Sequence, residues 1–129
     1  MRRLPLRYPR VPMIVPHLGG VMPIYLERMN NQLAHALEDT GLRPGDVARL
    51  LYYDSVSHSS EVALHAACRS LGPDRLLLGS DYPALEYFEP YPRSTNYIRQ
   101  SGPPPADIGA ILAGNASNLF PPQTSSRRR

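Results

Sequence analysis

Residues 72–83 hold a short apolar strand and its polar end in one segment: Gly72-Pro73-Asp74-Arg75-Leu76-Leu77-Leu78-Gly79-Ser80-Asp81-Tyr82-Pro83. The leucine run is too short for a helix, and glycine and proline bound it on both sides, which predicts a buried strand. A near-continuous apolar strand is typical of a parallel sheet that helices cover on both faces. Functional residues of such sheets follow the carboxyl ends of the strands, so Asp81 is a candidate site residue.

Two earlier segments have the same plan of strand, polar turn and helix. Residues 11–15 form an apolar run that stops at a glycine-rich turn, and apolar residues recur at helical spacing over 23–37. Residues 50–56 predict the second strand, and a helix with Ser59 as its N-terminal cap follows over 59–71. This alternation predicts an α/β fold with a parallel sheet.

The chain beyond the third strand is rich in proline and tyrosine. Residues 84–105 predict a long loop, and residues 108–120 predict a last helix that Gly114-Asn115 interrupts. Residues 121–129 are expected to form a disordered basic tail, which leaves residues 1–120 as one domain.

The chain length limits what this domain can be. A chain of 129 residues suffices for one domain with a core, whereas a closed eight-stranded β/α barrel needs about 250 residues. No apolar run approaches the roughly 20 residues of a membrane span, and the arginines and prolines of residues 1–12 do not suit a signal peptide. We therefore expect a cytoplasmic protein that does not contact a membrane.

The net charge of +3 conceals an acidic middle. Half of the 14 basic residues lie within residues 1–10 and 127–129, while all 11 acidic residues lie between these ends. A nucleic-acid-binding domain has its basic residues on the folded surface, so this pattern argues against one. The single cysteine, Cys68, lies in an apolar helical pattern, which indicates a small buried side chain rather than a nucleophile.

Titratable side chains lie near the end of each predicted strand: His17 after the first, Asp54 within the end of the second and His58 after it, and Asp81 after the third. The carboxyl ends of parallel strands meet at one edge, so we expect these side chains to share it. One interpretation is a functional site. The other is that Asp54 and Asp81 accept hydrogen bonds from nearby backbone amides while His17 simply packs, and spacing alone leaves both open.

Four strings carry a resemblance to a known family: His17-Leu18-Gly19-Gly20-Val21-Met22-Pro23 with Arg28, Tyr52-Tyr53-Asp54, residues 72–83, and Gly114-Asn115-Ala116-Ser117-Asn118-Leu119-Phe120. They resemble motifs of the amidohydrolase superfamily, in particular the aminocarboxymuconate-semialdehyde decarboxylase family, which includes aromatic-acid decarboxylases. The resemblance covers about residues 5–120 in the family's order. It implies an incomplete fold: the C-terminal three β/α units of a TIM-type (β/α)8 metal-dependent hydrolase barrel.

The resemblance also implies roles for three residues. Asp81 matches the carboxylate that binds the catalytic divalent metal, zinc in the first instance with manganese as the alternative, and His17 matches the histidine that acts as acid or base beside it. Arg28 matches an arginine that reaches a substrate carboxylate across a dimer interface; its alternative role is a surface helix residue paired with an acid. His58 has a histidine counterpart in some members and is not assigned as a ligand.

The family's His-x-His pair of metal ligands has no counterpart in this sequence. One carboxylate and one histidine should hold a metal ion weakly or not at all. Three parallel strands cannot close a barrel, and their open edges favour association. The expected partners are therefore a homo-oligomer or a complementary N-terminal half, besides a small carboxylic-acid substrate.

Three functions follow as hypotheses. The first is a fragment of a metal-dependent non-oxidative decarboxylase, a carbon–carbon lyase acting on a small carboxylic acid, and Arg28 favours it. The second is a metal-dependent hydrolase of the same superfamily. The third is a non-catalytic half-barrel interaction protein that needs a partner chain. The 129 residues alone are expected to be inactive as an enzyme.

Overall fold

A parallel sheet of three short strands organises the fold. The computed structural model describes residues 3–121, and its strands are β1 (Ile14–Val15), β2 (Tyr52–Asp54) and β3 (Leu76–Leu77). The strands pair in the order β1-β2-β3, and both pairs are parallel. The predicted parallel α/β arrangement is therefore confirmed.

Helices connect the strands and follow the last one. They are α1 (Leu4–Arg7), α2 (Met22–Gln32), α3 (Pro44–Ala48), α4 (Glu61–Leu71), α5 (Arg93–Gln100), α6 (Pro105–Gly109) and α7 (Asn115–Leu119). A π-helical segment, Ala110–Gly114, joins α6 to α7, and 3-10 turns cover His17–Gly19, Ala34–Thr40, Pro73–Arg75 and Ala84–Tyr87. Helix α2 packs against α3 and α4, which brings the first two strand–helix units together.

Tyr53 lies at the centre of the core. Its side chain is fully buried, it lies between Val15 and Leu76 in the register of the sheet, and its hydroxyl donates a hydrogen bond to the carbonyl of Ala48 at 2.8 Å. Burial raises the pKa of this hydroxyl above its ordinary value. The same apolar cluster includes Leu18, Leu26, Leu51, Leu64, Ala67, Leu71, Tyr97, Ile98 and Ile111.

The observed strands are shorter than the predicted ones, because neighbouring segments use some of the backbone groups differently. The backbone N–H groups of Leu50 and Leu51 donate to the carbonyls of Val47 and Ala48, both at 3.1 Å, and so close the end of α3. These two residues are therefore unavailable to β2. The predicted run 50–56 shrinks to its middle, while the helix after it lies where it was expected.

The prediction that Ser59 caps this helix is wrong. Ser60 is the cap, and its hydroxyl oxygen accepts from the backbone N–H of Ala63 at 3.2 Å. Ser59 has a φ of 55°, which is outside the extended range that a capping residue adopts. Its hydroxyl donates to the carboxylate of Glu89 instead.

The region 84–105 is not one loop, because α5 lies inside it. Tyr97 and Ile98 are buried on one side of this helix, but the polar run 93–96 before them hides the pattern in the sequence. The last helical stretch is also continuous. Gly114 has helical dihedral angles and joins the π-helical segment to α7, so it does not interrupt the stretch as predicted.

Two further expectations concern membrane spans and the C-terminal tail. No helix within residues 3–121 is long and apolar enough to cross a membrane. The predicted basic tail, apart from Pro121, lies outside the residues that the structure describes.

Candidate functional site

The carboxyl ends of the three strands carry the candidate residues. His17 begins the turn after β1, Asp54 is the last residue of β2, and Asp81 follows β3. Because the strands are adjacent and parallel, all three residues lie at one edge of the sheet. This is the edge at which α/β barrels place their chemistry.

The backbone at this edge is strained. Five residues other than glycine have left-handed φ angles in the described chain: His17 (58°), Leu18 (52°), His58 (49°), Ser59 (55°) and Asp81 (51°). Each such residue costs about 1–3 kcal/mol and persists only where its surroundings impose it. All five lie in the three junctions that follow the strands, so the strain is concentrated where a site is expected.

Asp54 connects the first junction to the second strand. Its Oδ1 atom accepts hydrogen bonds from the backbone N–H groups of His17 at 2.8 Å and of Val56 at 3.1 Å. Gly79 on the neighbouring segment leaves room for it, since a Cβ there would lie 2.8 Å from the Asp54 Cβ. The interpretation of Asp54 as an acceptor for backbone amides is therefore confirmed.

The turn that carries His17 packs directly on the hydrophobic core. Leu18 is 1% exposed and belongs to the core, whereas the His17 side chain is exposed. Gly19 follows with a φ of 77°, and a Cβ there would meet the Tyr53 ring at 3.1 Å. The turn therefore rests directly on the core and presents the imidazole to solvent.

Asp81 is exposed at the start of the loop after β3. Its backbone carbonyl accepts from the N–H of Leu85 at 3.0 Å. Within residues 3–121 its carboxylate has neither a hydrogen-bond donor nor an ion-pair partner. Asp81 thus combines a left-handed backbone with an exposed carboxylate at this edge of the sheet.

Arg28 lies on α2, outside the three junctions that follow the strands. It is exposed on α2, and its Nε donates to the Oε1 of Gln32 at 3.1 Å on the same helix. Within residues 3–121 no hydrogen bond or ion pair joins Arg28 to His17 or Asp81. The alternative of pairing with an acid is not seen either, because its partner is a neutral amide.

Cys68 takes no part in the site. It lies on α4 and is only partly buried. Burial, with a smaller contribution from the charge of Asp107, raises the pKa of its thiol to about 11. A thiol with that pKa stays protonated at neutral pH, so it is a poor nucleophile.

Sequence reasoning missed Glu89. This residue lies in the loop after Asp81, is 6% exposed, and its carboxylate accepts from the hydroxyl of Ser59 at 2.8 Å. Nothing in the proline- and tyrosine-rich sequence around it indicated burial. The one signal was Arg93, four residues later, which forms an ion pair with it at 3.5 Å.

The residues present do not complete a metal site by themselves. A carboxylate and an imidazole are suitable ligands for a zinc-type ion. However, no group of three or more His, Cys, Asp or Glu side chains in residues 3–121 lies close enough together to hold a metal ion. His17 and Asp81 therefore supply at most part of a coordination shell.

The fold and the arrangement of this edge define part of a TIM-type (β/α)8 barrel. A model of the amidohydrolase family matches residues 1–121, so the chain belongs to the amidohydrolase family. The predicted resemblance and the predicted fold class, an incomplete barrel of three β/α units, are both confirmed.

Decarboxylases are among its relatives. The chain is 28% identical over 116 residues to the 6-methylsalicylic acid decarboxylase of Aspergillus aculeatus, covering 84% of this chain and 35% of that one. Among solved structures, the 5-carboxyvanillate decarboxylase of Sphingomonas paucimobilis superimposes with a TM-score of 0.74 and 25% identity. That match covers 91% of this chain and 36% of the Sphingomonas enzyme.

A third protein, similar in structure, was crystallised with a metal ion. The dihydroxybenzoic acid decarboxylase of a Polaromonas species, with bound manganese, has a TM-score of 0.74 and 24% identity. The match covers 91% of this chain and 36% of that enzyme. The chain thus spans little more than a third of the length of the relatives it matches.

Proposed function

We propose that this chain forms part of a metal-dependent decarboxylase that acts on an aromatic carboxylic acid. The observation that carries the proposal is the pair His17 and Asp81, each exposed and each in a left-handed conformation at the same edge of the sheet. The 6-methylsalicylic acid and 5-carboxyvanillate decarboxylases among the relatives support the reaction and the class of substrate.

His17 supplies proton transfer. In a non-oxidative decarboxylation the bond between the ring carbon and the carboxyl group breaks, the electron pair stays on the ring, and CO2 leaves. A proton must then reach that carbon. An imidazole can give and take a proton at neutral pH, and the hydrogen bond from the His17 N–H to Asp54 fixes the backbone that carries it.

Asp81 contributes one ligand to a divalent cation, which stabilises negative charge on substrate oxygens when bound. Zinc and manganese are the candidates, and the manganese of the Polaromonas enzyme favours testing both. The remaining ligands come from outside the described residues, because these contain no complete group. A complementary chain or segment supplies them.

Arg28 binds the substrate carboxylate of a neighbouring subunit. Its guanidinium is exposed, and its only partner within residues 3–121 is the neutral Gln32. A planar guanidinium suits two-pronged contact with a carboxylate, whereas an ammonium does not. Arg28→Lys should therefore raise KM for the acid more than it lowers kcat.

The test combines metal content with CO2 release. The full chain is assayed with zinc or manganese, alone and mixed with the segment of the Sphingomonas enzyme that it does not match, using 5-carboxyvanillate and 2,6-dihydroxybenzoate. We expect metal binding and CO2 release in the mixture only. His17→Asn should slow release by about 10²–10⁴-fold, and Asp81→Asn should remove the metal.

The control is His35→Asn, an exposed histidine in the 3-10 turn Ala34–Thr40 and outside the three junctions, which should leave both readouts unchanged. Release of CO2 that survives His17→Asn, or a mixture that binds no metal, would contradict the proposal. If the mixture leaves both acids intact but hydrolyses an aryl amide or an aryl ester supplied in their place, the related hydrolase is the correct function.

A second function, a non-catalytic half-barrel that binds a partner chain, is favoured by two observations. The described residues lack a three-ligand group, while the outer edges of β1 and β3 have no paired strand within residues 3–121. This function predicts a stable complex that contains no metal and tolerates His17→Ala. Light scattering and metal analysis of the same mixture distinguish the two functions.

A further inference from the structure

Glu89 is a buried acid with an unpaired oxygen. It is 6% exposed; its Oε2 accepts from the Ser59 hydroxyl at 2.8 Å and lies 3.5 Å from the Nε of Arg93. Its Oε1 is buried and has no hydrogen-bond partner in the described part of the chain. A buried carboxylate with one unpaired oxygen destabilises a fold, so its presence needs an explanation other than stability.

The residue that Glu89 holds is itself strained. Ser59 and His58 are consecutive, and their φ angles are 55° and 49°. The ring of His58 lies edge-on to the ring of Phe88, with centroids 5.5 Å apart. Phe88 and Glu89 of one loop therefore contact His58 and Ser59 of another. These two contacts hold two left-handed residues side by side.

Backbone hydrogen bonds link these two contacts to Asp81. The N–H of Leu85 donates to the carbonyl of Asp81 at 3.0 Å, and the N–H of Glu89 donates to the carbonyl of Leu85 at 3.0 Å. A short series of backbone hydrogen bonds therefore runs from Asp81 to Glu89. Through it, the loop that begins at the third strand is fastened to the junction after the second.

We infer that His58 is a third functional side chain of this edge and that Glu89 is its positioning residue. This inference rests on the proposed function. The His58 ring is exposed, and neither ring nitrogen has a hydrogen-bond partner within residues 3–121. It follows the strand that lies between those of His17 and Asp81. An imidazole so placed can donate a hydrogen bond to the carboxylate of an aromatic acid.

The first test observes the His58 ring directly by NMR. The chain has four histidines, so the signals of labelled rings are few, and His58→Gln assigns the one of interest. The wild type should show a nuclear Overhauser effect between the rings of His58 and Phe88. Glu89→Ala should abolish it and move the His58 signal, while Glu89→Gln, whose amide oxygen still accepts from Ser59, should retain it.

The matched control is Glu86→Ala. Glu86 belongs to the same loop, is exposed, and has no side-chain partner in the described chain. It should leave all four histidine signals in place. If Glu89→Ala does not fold, Ser59→Gly replaces it, because glycine adopts the left-handed conformation but lacks the hydroxyl. An unchanged ring contact in a folded variant would overturn the positioning role.

The second test adds 2,6-dihydroxybenzoate to the metal-free full chain in the presence of a chelator. We expect the acid to shift the His58 signal and to leave those of His35 and His65 in place. Glu89→Ala should weaken the apparent affinity roughly tenfold, the loss expected for one charge-assisted hydrogen bond. A His58 signal that does not respond at millimolar acid would overturn the substrate contact.

Neither NMR readout needs turnover or metal. A chain that binds the acid at His58 but releases no CO2 even in the mixture with the complementary segment and metal would retain this inference and exclude the proposed function. If the mixture releases CO2 but the His58 signal does not respond to the acid, the proposed function stands and this inference fails.

Discussion

Asp54 and Gly79 show how closely single residues are fitted at the edge of the sheet. One carboxylate oxygen of Asp54 serves two backbone N–H groups in two different segments, and the absence of a side chain at Gly79 makes room for it. Both features depend on individual atoms, so single substitutions should reveal them.

Loss of the Asp54 carboxylate should destabilise the fold. Asp54→Ala leaves the N–H groups of His17 and Val56 without their acceptor, which costs about 1–3 kcal/mol for each group that stays buried. Asp54→Asn keeps an amide oxygen and should cost less. Urea unfolding measures the difference, with Glu38→Ala, an exposed acid without a side-chain partner in the described residues, as the control.

Three glycines offer a graded comparison. Gly79→Ala places a Cβ 2.8 Å from the Asp54 Cβ and 3.1 Å from Val56 Cγ2, so we expect a loss of about 1–3 kcal/mol from overpacking. Gly20→Ala meets open space but has a φ of 63°, which should cost about 1–2 kcal/mol. Gly109→Ala lies in a helix with a φ of −61° and open space. It should stabilise by about 0.5–1 kcal/mol. The reverse order in thermal unfolding would refute this ranking.

At the scale of elements, α7 is joined to the third strand by one side chain. The amide of Asn115 donates to the carbonyls of Pro73 and Leu76, both at 2.8 Å. No local pattern in the sequence indicates this role, because Asn115 follows Gly114 in a pair that predicts a helix break. In the structure the same asparagine is 8% exposed and fastens the helix to the sheet.

Removal of this connection should be costly. Asn115→Ala leaves two carbonyls without a donor, and we expect a loss of about 2–4 kcal/mol from two hydrogen bonds at a largely buried position. Asn118→Ala, exposed on the same helix, is the matched control and should change stability by less than about 0.5 kcal/mol. Equal melting temperatures for the two variants would show that Asn115 does not join the elements.

At the scale of the whole molecule, two buried tyrosines limit stability at high pH. Burial is the largest cause that raises the pKa of both Tyr53 and Tyr97 above the ordinary 10.0. The unfolded chain therefore loses these protons before the folded chain does. Stability should be full below about pH 10 and fall above it, by up to about 1.4 kcal/mol per pH unit for each tyrosine.

Denaturant unfolding between pH 8 and 11 checks this expectation. Tyr53→Phe should lower the stability at pH 8, because it loses the hydrogen bond to Ala48, but it should also reduce the slope above pH 10. Tyr87→Phe, at an 89% exposed position, should leave the slope unchanged. A slope that does not respond to Tyr53→Phe would assign the alkaline transition to other groups.

The sequence predicted the larger features of the fold and part of the candidate site. The leucines of residues 76–78 and the turn at His17 predicted a parallel sheet and the edge at which the candidate residues lie, since both depend on local patterns. The hydrogen bond between Glu89 and Ser59 and the hydrogen bonds of Asn115 join residues 30 to 42 positions apart. No local pattern contains that information. Helix α5 was not predicted for a related reason. Its buried residues Tyr97 and Ile98 lie among polar residues, which hide the helical pattern.

The left-handed residues of the three junctions also affect how this protein would respond to laboratory evolution. Glycine adopts such angles without strain, so a search for heat-resistant variants should favour glycine at positions 17, 58, 59 and 81. Those replacements would delete both histidines, the serine that Glu89 holds, and Asp81. Selection for heat resistance alone would thus erase the candidate site first, and a screen for thermostable variants needs an independent assay for ligand binding.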